Sequence, residues 1–522
     1  MKPHCFLFYL FIFYWVNVYS QISQIDVLNY RIELHVSDES NQIQVHQEID
    51  FTHLETDKHI VFNLSCADES GKGMHIKRLK MNGKTAQFRH QNDSLYIDSE
   101  DSLDGVQNVV LFFEGIPKDG LIIGENKYGS RTFFGDNWPT RAQNWFACND
   151  HLSDKATIEF IIEAPKKYEA VANGALISVQ KKRKSKIHHY RSSIPLPTKV
   201  MVVGIAEMSI EEVGSVDGKI IRSCVYPKNQ KESLYDLQLG TSILKFYSDY
   251  IAPYEYEKLD NVQSTTRFGG MENAGCIFYD ENALNGTRKS EALIAHEIVH
   301  QWFGNSATEK DWCHLWLSEG FATYLTNVYI EQTKGPKAFR EQLKKDRDRI
   351  ISFEKRYQHP VVDSSYTSLM DLLNPNSYQK GGWVLHMLRM ELGDDQFHEA
   401  IRTYYQKYRL SNADSKDFQN VVEQVSSTDL NWFFKQWLYR PGHPKLDIEY
   451  ETHENHLEIN VSQMEDLFTF DLPIRVNYED GTAKLDDLRI SDQQTRFRKT
   501  YEKSIKSIDI DPEVHLLFES IE

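Results

Sequence analysis

ALIAHEIVHQWFGNSATEKDWCHLWLSEGFATY, residues 292–324, sets two histidines four positions apart inside an apolar segment. At helical periodicity His296 and His300 project from one face, where both imidazoles can grip a single ion, and Glu297 lies between them. Ala292, Leu293, Ile294, Ala295, Ile298, Val299, Trp302 and Phe303 make this helix apolar nearly all round, so it is expected to be buried. Polar side chains in a dry helix are costly unless hydrogen-bonded or metal-bound. A spacer of eighteen residues, Gln301–Ser318, then leads to Glu319 at the start of another helical run. The set His296, His300, Glu319 leaves one position open on a zinc ion. A catalytic zinc keeps such a position for water, whereas structural zinc sites are closed and usually rich in cysteine. Glu297, not a ligand, is then placed to take a proton as general base. The competing reading is a hydrogen-bonded pair of core histidines.

HExxH, eighteen residues and then Glu resembles the gluzincin arrangement, shared by thermolysin-like endopeptidases and by the aminopeptidase N family, which includes leukotriene hydrolase. GGMENAG, residues 269–275, lies just ahead of the zinc helix and resembles the GxMEN exopeptidase motif of the aminopeptidases. Its physical logic is readable in the residues Gly269, Gly270, Met271, Glu272 and Asn273. Two glycines let a substrate backbone approach as an added strand would, and Glu272 offers a carboxylate to a free α-ammonium. Taken alone, the motif also reads as a tight turn with an exposed glutamate. In SYQKGGWVLHML, residues 377–388, Tyr378 resembles the family's YxKG tyrosine. The resemblance implies that it hydrogen-bonds the substrate carbonyl oxygen as charge develops there. Spacing alone equally allows a core tyrosine.

The resemblance covers nearly the whole mature chain and implies a multi-domain α+β protein. An N-terminal β domain (21–210) precedes a thermolysin-like, mainly helical domain (211–440) and a small β-sandwich (441–522). Two departures stand out. The chain stops at residue 522, so the large C-terminal helical domain of many members is not expected and the cleft should be more open. In NWPTRAQNWFACND, Trp138 falls where many members place a Glu or Gln that also holds the amine, and Asp136 or Asn137 is expected as a substitute.

The residue pattern agrees with this division. IDVLNYRIELHV, IQVHQEIDFTHL, DKHIVFNLSC and ATIEFIIEAP are β-rich and partly alternating. Helical stretches are expected near 231–250, 289–304, 316–334, 336–355, 379–393 and 395–408, ending at the Pro441, Gly442, Pro444 cluster. Alternation then returns, with an Asp480–Gly481 turn. The basic run KKRKSK at 181–186 reads as a solvated hairpin loop.

At 522 residues the chain exceeds one ordinary core. Its net charge of −17, from 76 acidic and 59 basic side chains, disfavours a nucleic-acid partner, which needs a concentrated basic surface. Lys2, the uncharged run Cys5–Val16, and the small residues Val18 and Ser20 read as a secretory signal over residues 1–20. The run is shorter than a spanning helix wants. The mature chain is therefore expected to be secreted or periplasmic, without an integral membrane span. Its cysteines would be Cys66, Cys148, Cys224, Cys276 and Cys313, an odd number allowing at most two intrachain bridges.

The sequence thus predicts a zinc aminopeptidase with one Zn2+ per chain, acting on peptides with a free amino terminus. His296, His300 and Glu319 hold the metal, Glu297 activates water, Glu272 anchors the amine and Tyr378 stabilises the oxyanion. The alternatives are a gluzincin endopeptidase, in which GGMENAG would have no task, and a silent zinc-stabilised binding module, in which Glu297 and Tyr378 would have none.

Overall fold

The computed structural model describes residues 25–54, 59–98 and 103–521. The signal segment expected at 1–20 lies outside the described residues.

Alternation builds the N-terminal region. In the strand Ile25–His35 the buried positions Ile25, Val27, Tyr30, Ile32 and Leu34 slip by one after Val27. A register shift between Val27 and Asn29 absorbs the extra residue, so the same face stays inward. This strand sits within an eight-stranded sheet ordered Ala175–Lys181, Ser185–Pro197, Lys155–Pro165, Ile25–His35, Ile43–His53, Val106–Ile116, Gly73–Met81, Lys84–Thr85. Its pairing with Lys155–Pro165 is parallel, and the rest of the sheet is antiparallel. A four-stranded sheet (Glu169–Ala172, Val203–Ala206, Arg131–Gly135, Leu121–Glu125) and a three-stranded one (His59–Asn63, Ser94–Asp98, Phe88–Gln91) join it. The basic run at 181–186 is a largely exposed hairpin tip, where Lys182 and Lys186 pair with Glu163 and Glu169.

Residues 209–280 contain a feature that hydropathy did not announce, a five-stranded mixed sheet ordered Ser209–Val216, Lys219–Val225, Lys258–Ser264, Cys276–Asp280, Gly270–Met271. Its middle strand, KLDNVQS, is buried at every position although most of its side chains are polar. Every side-chain polar atom of the strand but Asn261 Nδ2 has a partner, most of them on other elements. Asp260 pairs with Arg222 and Lys258, Gln263 accepts from the Tyr226 amide, and Ser264 donates to the Tyr279 carbonyl.

The described residues form nine α-helices, the first two inside the span of that sheet: α1 (Gln230–Leu237), α2 (Leu239–Tyr250), α3 (Glu291–Val299), α4 (Trp316–Lys334), α5 (Pro336–Glu354), α6 (Gly381–Leu392), α7 (Asp394–Tyr408), α8 (Ser415–Ser426) and α9 (Asn431–Leu438). The stretch expected as one helix at 231–250 is two, parted at Gln238, and α3 ends before 304. The chain closes as two facing sets of strands. One is Gln494–Thr500, His456–Gln463, Lys445–His453, Glu519–Ser520 and the other is Ala483–Ile490, Phe470–Tyr478, Ile505–Ile510. Gly481, at φ +83°, forms the expected turn between two of them. All five described cysteines are free thiols. Among the described residues no helix is long and apolar enough to cross a membrane.

One close approach positions the central residues. A Cβ on Gly320 in α4 would lie 2.9 Å from the Gly381 backbone at the start of α6. Only glycine permits the two backbones to touch there. The contact sets Glu319, one residue before Gly320, against the turn that carries Tyr378.

Candidate active site

His296 and His300 sit at the end of α3 and Glu319 in the first turn of α4, and their ligand atoms all lie within 4.8 Å of one another. The two histidine Nε2 atoms are 3.1 Å apart, and Glu319 Oε2 is 3.4 Å from one and 3.3 Å from the other. The Phe303 carbonyl, 3.1 Å from His300 Nδ1, can only accept. It therefore holds a proton on Nδ1 and leaves Nε2 facing Glu319. Ser318 Oγ lies 3.1 Å from the same nitrogen.

This cluster is rich in electron pairs and poor in cations. Burial works against a charged His300, yet the adjacent Glu319 carboxylate carries it up to about 9. Burial holds His296 below its ordinary value. Burial would raise Glu319 as well, but the two imidazoles hold it below the usual carboxylate range. Two nitrogens and one carboxylate converging on one point suit a divalent cation, and the His2Glu donor set is that of a zinc centre with an open position. The donors therefore fit zinc.

Glu297 projects from α3 against the strand Gly270–Met271. A Cβ on Gly270 would fall 2.3 Å from Glu297 Oε1, so the glycine makes room for the carboxylate. Burial, with Glu272 and Glu319 nearby, pushes Glu297 well above the usual carboxylate range. Tyr378 lies in a single π-helical turn, Asn376–Lys380, that leads into α6. Its ring stacks over His296 at 6.2 Å between centroids and 11° between planes. Burial and the surrounding carboxylates push its phenol well above 10.

GGMENAG is a strand followed by a turn. Gly270–Met271 pairs antiparallel with Cys276–Asp280, and Gly275 takes φ +64°. Glu272 is 5% exposed and its Oε1 has no hydrogen-bond partner. An orphaned buried carboxylate oxygen is expensive, and a cationic group entering the cavity would relieve it. The turn reading of this glutamate as an exposed residue is thus corrected. Asn273 is fully buried and, unlike Gly269, Gly270, Met271 and Glu272, does not line the cavity.

Two residues that hold this turn escaped the sequence reading. Gln301 donates to the Glu272 carbonyl at 2.8 Å and accepts from the Gly275 amide at 2.8 Å, while Asn305 donates to the same carbonyl at 2.6 Å. Gln301 follows His300 directly and Asn305 comes four residues later, so the segment that carries the histidines also clamps the glutamate. Only the position of Gln301 next to His300 could have hinted at this.

The proposed stand-ins for a second amine anchor are corrected. Asp136 is fully buried and paired with Arg141, and the Asn137 amide is engaged by the Thr198 and Met201 carbonyls and by Trp145 Nε1. Asp136 Oδ2 has no hydrogen-bond partner, but neither residue lines the cavity. Trp138 does face the cavity, edge-on to Trp312 at 5.6 Å and to Phe268 at 6.3 Å. The cavity, of about 360 Å³, has Trp138, Phe268, Met271 and Leu373 as an apolar wall and Glu272, His296, Glu297, His300, Glu319 and Tyr378 as its polar floor.

Sequence models of two families match the chain. The peptidase M1 N-terminal domain matches residues 27–200 and the peptidase family M1 domain matches residues 235–437. Among similar proteins, leucyl aminopeptidase of Saccharolobus solfataricus is 24% identical over 84% of this chain and 57% of its own length. Aminopeptidase M1-C of Oryza sativa is 29% identical over 61% of this chain and 38% of its own. Glutamyl aminopeptidase of Sus scrofa is 28% identical over 60% and 35%. The chain spans about half the length, or less, of the first relatives it matches. With both M1 domains matched in order across the β region and the helical region that bears the His2Glu cluster, this chain belongs to the peptidase M1 family, the aminopeptidase N family of gluzincins.

Proposed function

We propose that the protein is a zinc-dependent aminopeptidase that hydrolyses the first peptide bond of substrates with a free amino terminus. The observation that carries this is the orphaned Glu272 Oε1, buried in the same cavity as the His296, His300, Glu319 cluster. An endopeptidase has no use for a buried anion at that place.

His296, His300 and Glu319 would hold one Zn2+, which when bound supplies a Lewis acid for water and for the scissile carbonyl. Glu272 receives the substrate ammonium in a site where little water competes, and so limits cleavage to the terminal bond. The edge of Gly269–Met271 gives the substrate backbone a strand to lie along. Glu297 takes a proton from the attacking water and returns it to the departing amine. The Tyr378 hydroxyl donates to the carbonyl oxygen as negative charge gathers there, and its proton stays in place because burial disfavours the phenolate. We further propose three domains near 21–210, 211–440 and 441–522. The leader read over residues 1–20 supports export to a secreted or periplasmic location.

Tyr378→Phe is expected to lower kcat by about 10²- to 10³-fold with little change in KM, because the lost hydrogen bond strengthens only as charge develops. Steady-state kinetics check this, and an unchanged kcat would return Tyr378 to the core. Glu272→Ala tests the exopeptidase reading itself. kcat/KM for an amino-acyl amide with a free amine should fall about a hundredfold, the cost of leaving one partner of a desolvated charge pair alone. The N-acetylated amide, already poor, should change little. A free-to-acetylated ratio equal to that of the unsubstituted protein would mean that Glu272 does not read the terminus.

A further inference from the structure

Lys155 begins the strand Lys155–Pro165 of the eight-stranded sheet, but its ammonium reaches out of the β region. Nζ donates to the carbonyls of Ser306 at 2.6 Å, Ser411 at 2.8 Å and Asn305 at 3.4 Å. Asn305 and Ser306 stand in the turn that leads away from the metal histidines, and Ser411 opens a short strand, Ser411–Ala413, paired with Ala307–Glu309. The nearby Lys199 is tied to Glu309 at 2.5 Å in a buried ion pair, whereas the described hydrogen bonds of Lys155 all go to backbone oxygens. Burial of its ammonium, with the Lys199 charge nearby, pulls Lys155 down to about 7. Asn305 links this contact to the site. Its Nδ2 donates to the Glu272 carbonyl at 2.6 Å, while its Oδ1 has no partner. One hydrogen bond leaves an amide free to swing, so the aim of this side chain follows the backbone that carries it. That backbone is tied by its N–H to the His300 carbonyl at 3.1 Å, and by its C=O to Thr308 Oγ1 at 3.0 Å and to Lys155.

We infer that Lys155 is a positioning residue for amine recognition, through which the N-terminal β region holds the Asn305 turn and with it the aim of the Glu272 carboxylate. This rests on the aminopeptidase reading. Lys155 touches neither the cavity nor the metal donors, so it acts only through the turn. The path is short: Lys155 to the backbone of Asn305 and Ser306, the Asn305 amide to the Glu272 carbonyl, and the Glu272 side chain into the cavity. The alternative is that Lys155 merely joins two regions of the chain. A weakened joint lowers stability and depresses every substrate alike. A positioning contact instead changes the discrimination between substrates that use Glu272 and substrates that do not, because a small displacement of a group that orients substrate costs rate steeply.

The test is a double-mutant cycle on the zinc-loaded protein, with Lys155→Met, Glu272→Ala and the two combined, each assayed on leucyl anilide with a free and with an acetylated amine. At about pH 6 the substrate amine and Lys155 both carry their charge. The free-to-acetylated ratio of kcat/KM should fall about tenfold in Lys155→Met, less than in Glu272→Ala. Once Glu272 is alanine, Lys155→Met should change the ratio no further, because its effect passes through that carboxylate. Lys155→Gln, which keeps one amide donor, should show a smaller fall, and it carries the same comparison if Lys155→Met does not fold. Because each ratio is taken within one protein, it does not depend on how much of a variant folds. A ratio that both Lys155 variants leave intact, or that falls equally with and without Glu272, would overturn the inference and leave Lys155 as a joint. Both of those results stand beside a free-amine preference that Glu272→Ala destroys, so the aminopeptidase reading would survive them. Absence of that preference in the unsubstituted protein would instead sink the aminopeptidase reading and the inference with it.

Discussion

Glu297→Gln is expected to retain one zinc per chain and to lose turnover by on the order of 10²- to 10⁴-fold, the range of a positioned general base. The substitution keeps the shape of the side chain, which matters because Glu297 Oε1 rests where a Cβ on Gly270 would otherwise be. It removes the group that can accept a proton and leaves His296, His300 and Glu319 as they are. Retention of zinc is expected because Glu297 is not part of the converging donor set. Elemental analysis of the purified variant alongside kcat separates loss of chemistry from loss of metal. A variant with full metal and the wild-type rate would remove Glu297 from the reaction.

Lys380→Met is expected to lower stability by about 3–5 kcal/mol, the cost of stripping one partner from a buried charge pair. Lys380 and Glu354 are both fully buried, with Nζ 2.6 Å from the carboxylate and 2.8 Å from the Gly442 carbonyl. The other Glu354 oxygen is bonded to His443, which faces Glu519 at 3.6 Å. This chain of charges joins α5, the π-helical turn and the C-terminal strands. Lys380 stands two residues from Tyr378, so the same substitution should loosen the turn that aims the phenol and lower kcat in the fraction that stays folded. Urea unfolding measures the first effect. A loss under about 1 kcal/mol would show that the pair is replaceable by an apolar contact of similar volume.

The metal cluster was legible because its information is local. Two histidines four apart on one helix and a glutamate opening the next need only helical periodicity to be recognised, and the apolar positions around them announced burial. Glu272 was legible as an anion beside glycines, but its orphaned oxygen was not, since that depends on Gln301 and Asn305 taking the backbone carbonyl instead of the side chain. The middle sheet was hidden for a related reason. Lys258–Ser264 buries Asp260, Asn261, Gln263 and Ser264, whose partners Arg222, Tyr226 and Tyr279 are distant in sequence, so a hydropathy pattern reads the strand as loop. Asp136 looked available next to Trp138 because Arg141 is not visibly its partner until the turn is folded.

The most direct measurement follows the fragments of an unblocked dodecapeptide by mass spectrometry during incubation with the zinc-loaded protein, with the N-acetylated peptide and the metal-stripped protein as parallels. A cavity that holds a terminal ammonium at Glu272 beside the His296, His300, Glu319 centre should yield a ladder losing one residue at a time from the amino end. The acetylated peptide should persist, and removal of zinc should stop the ladder. Internal fragments from both peptides, or a ladder unchanged in metal-free protein, would contradict the account.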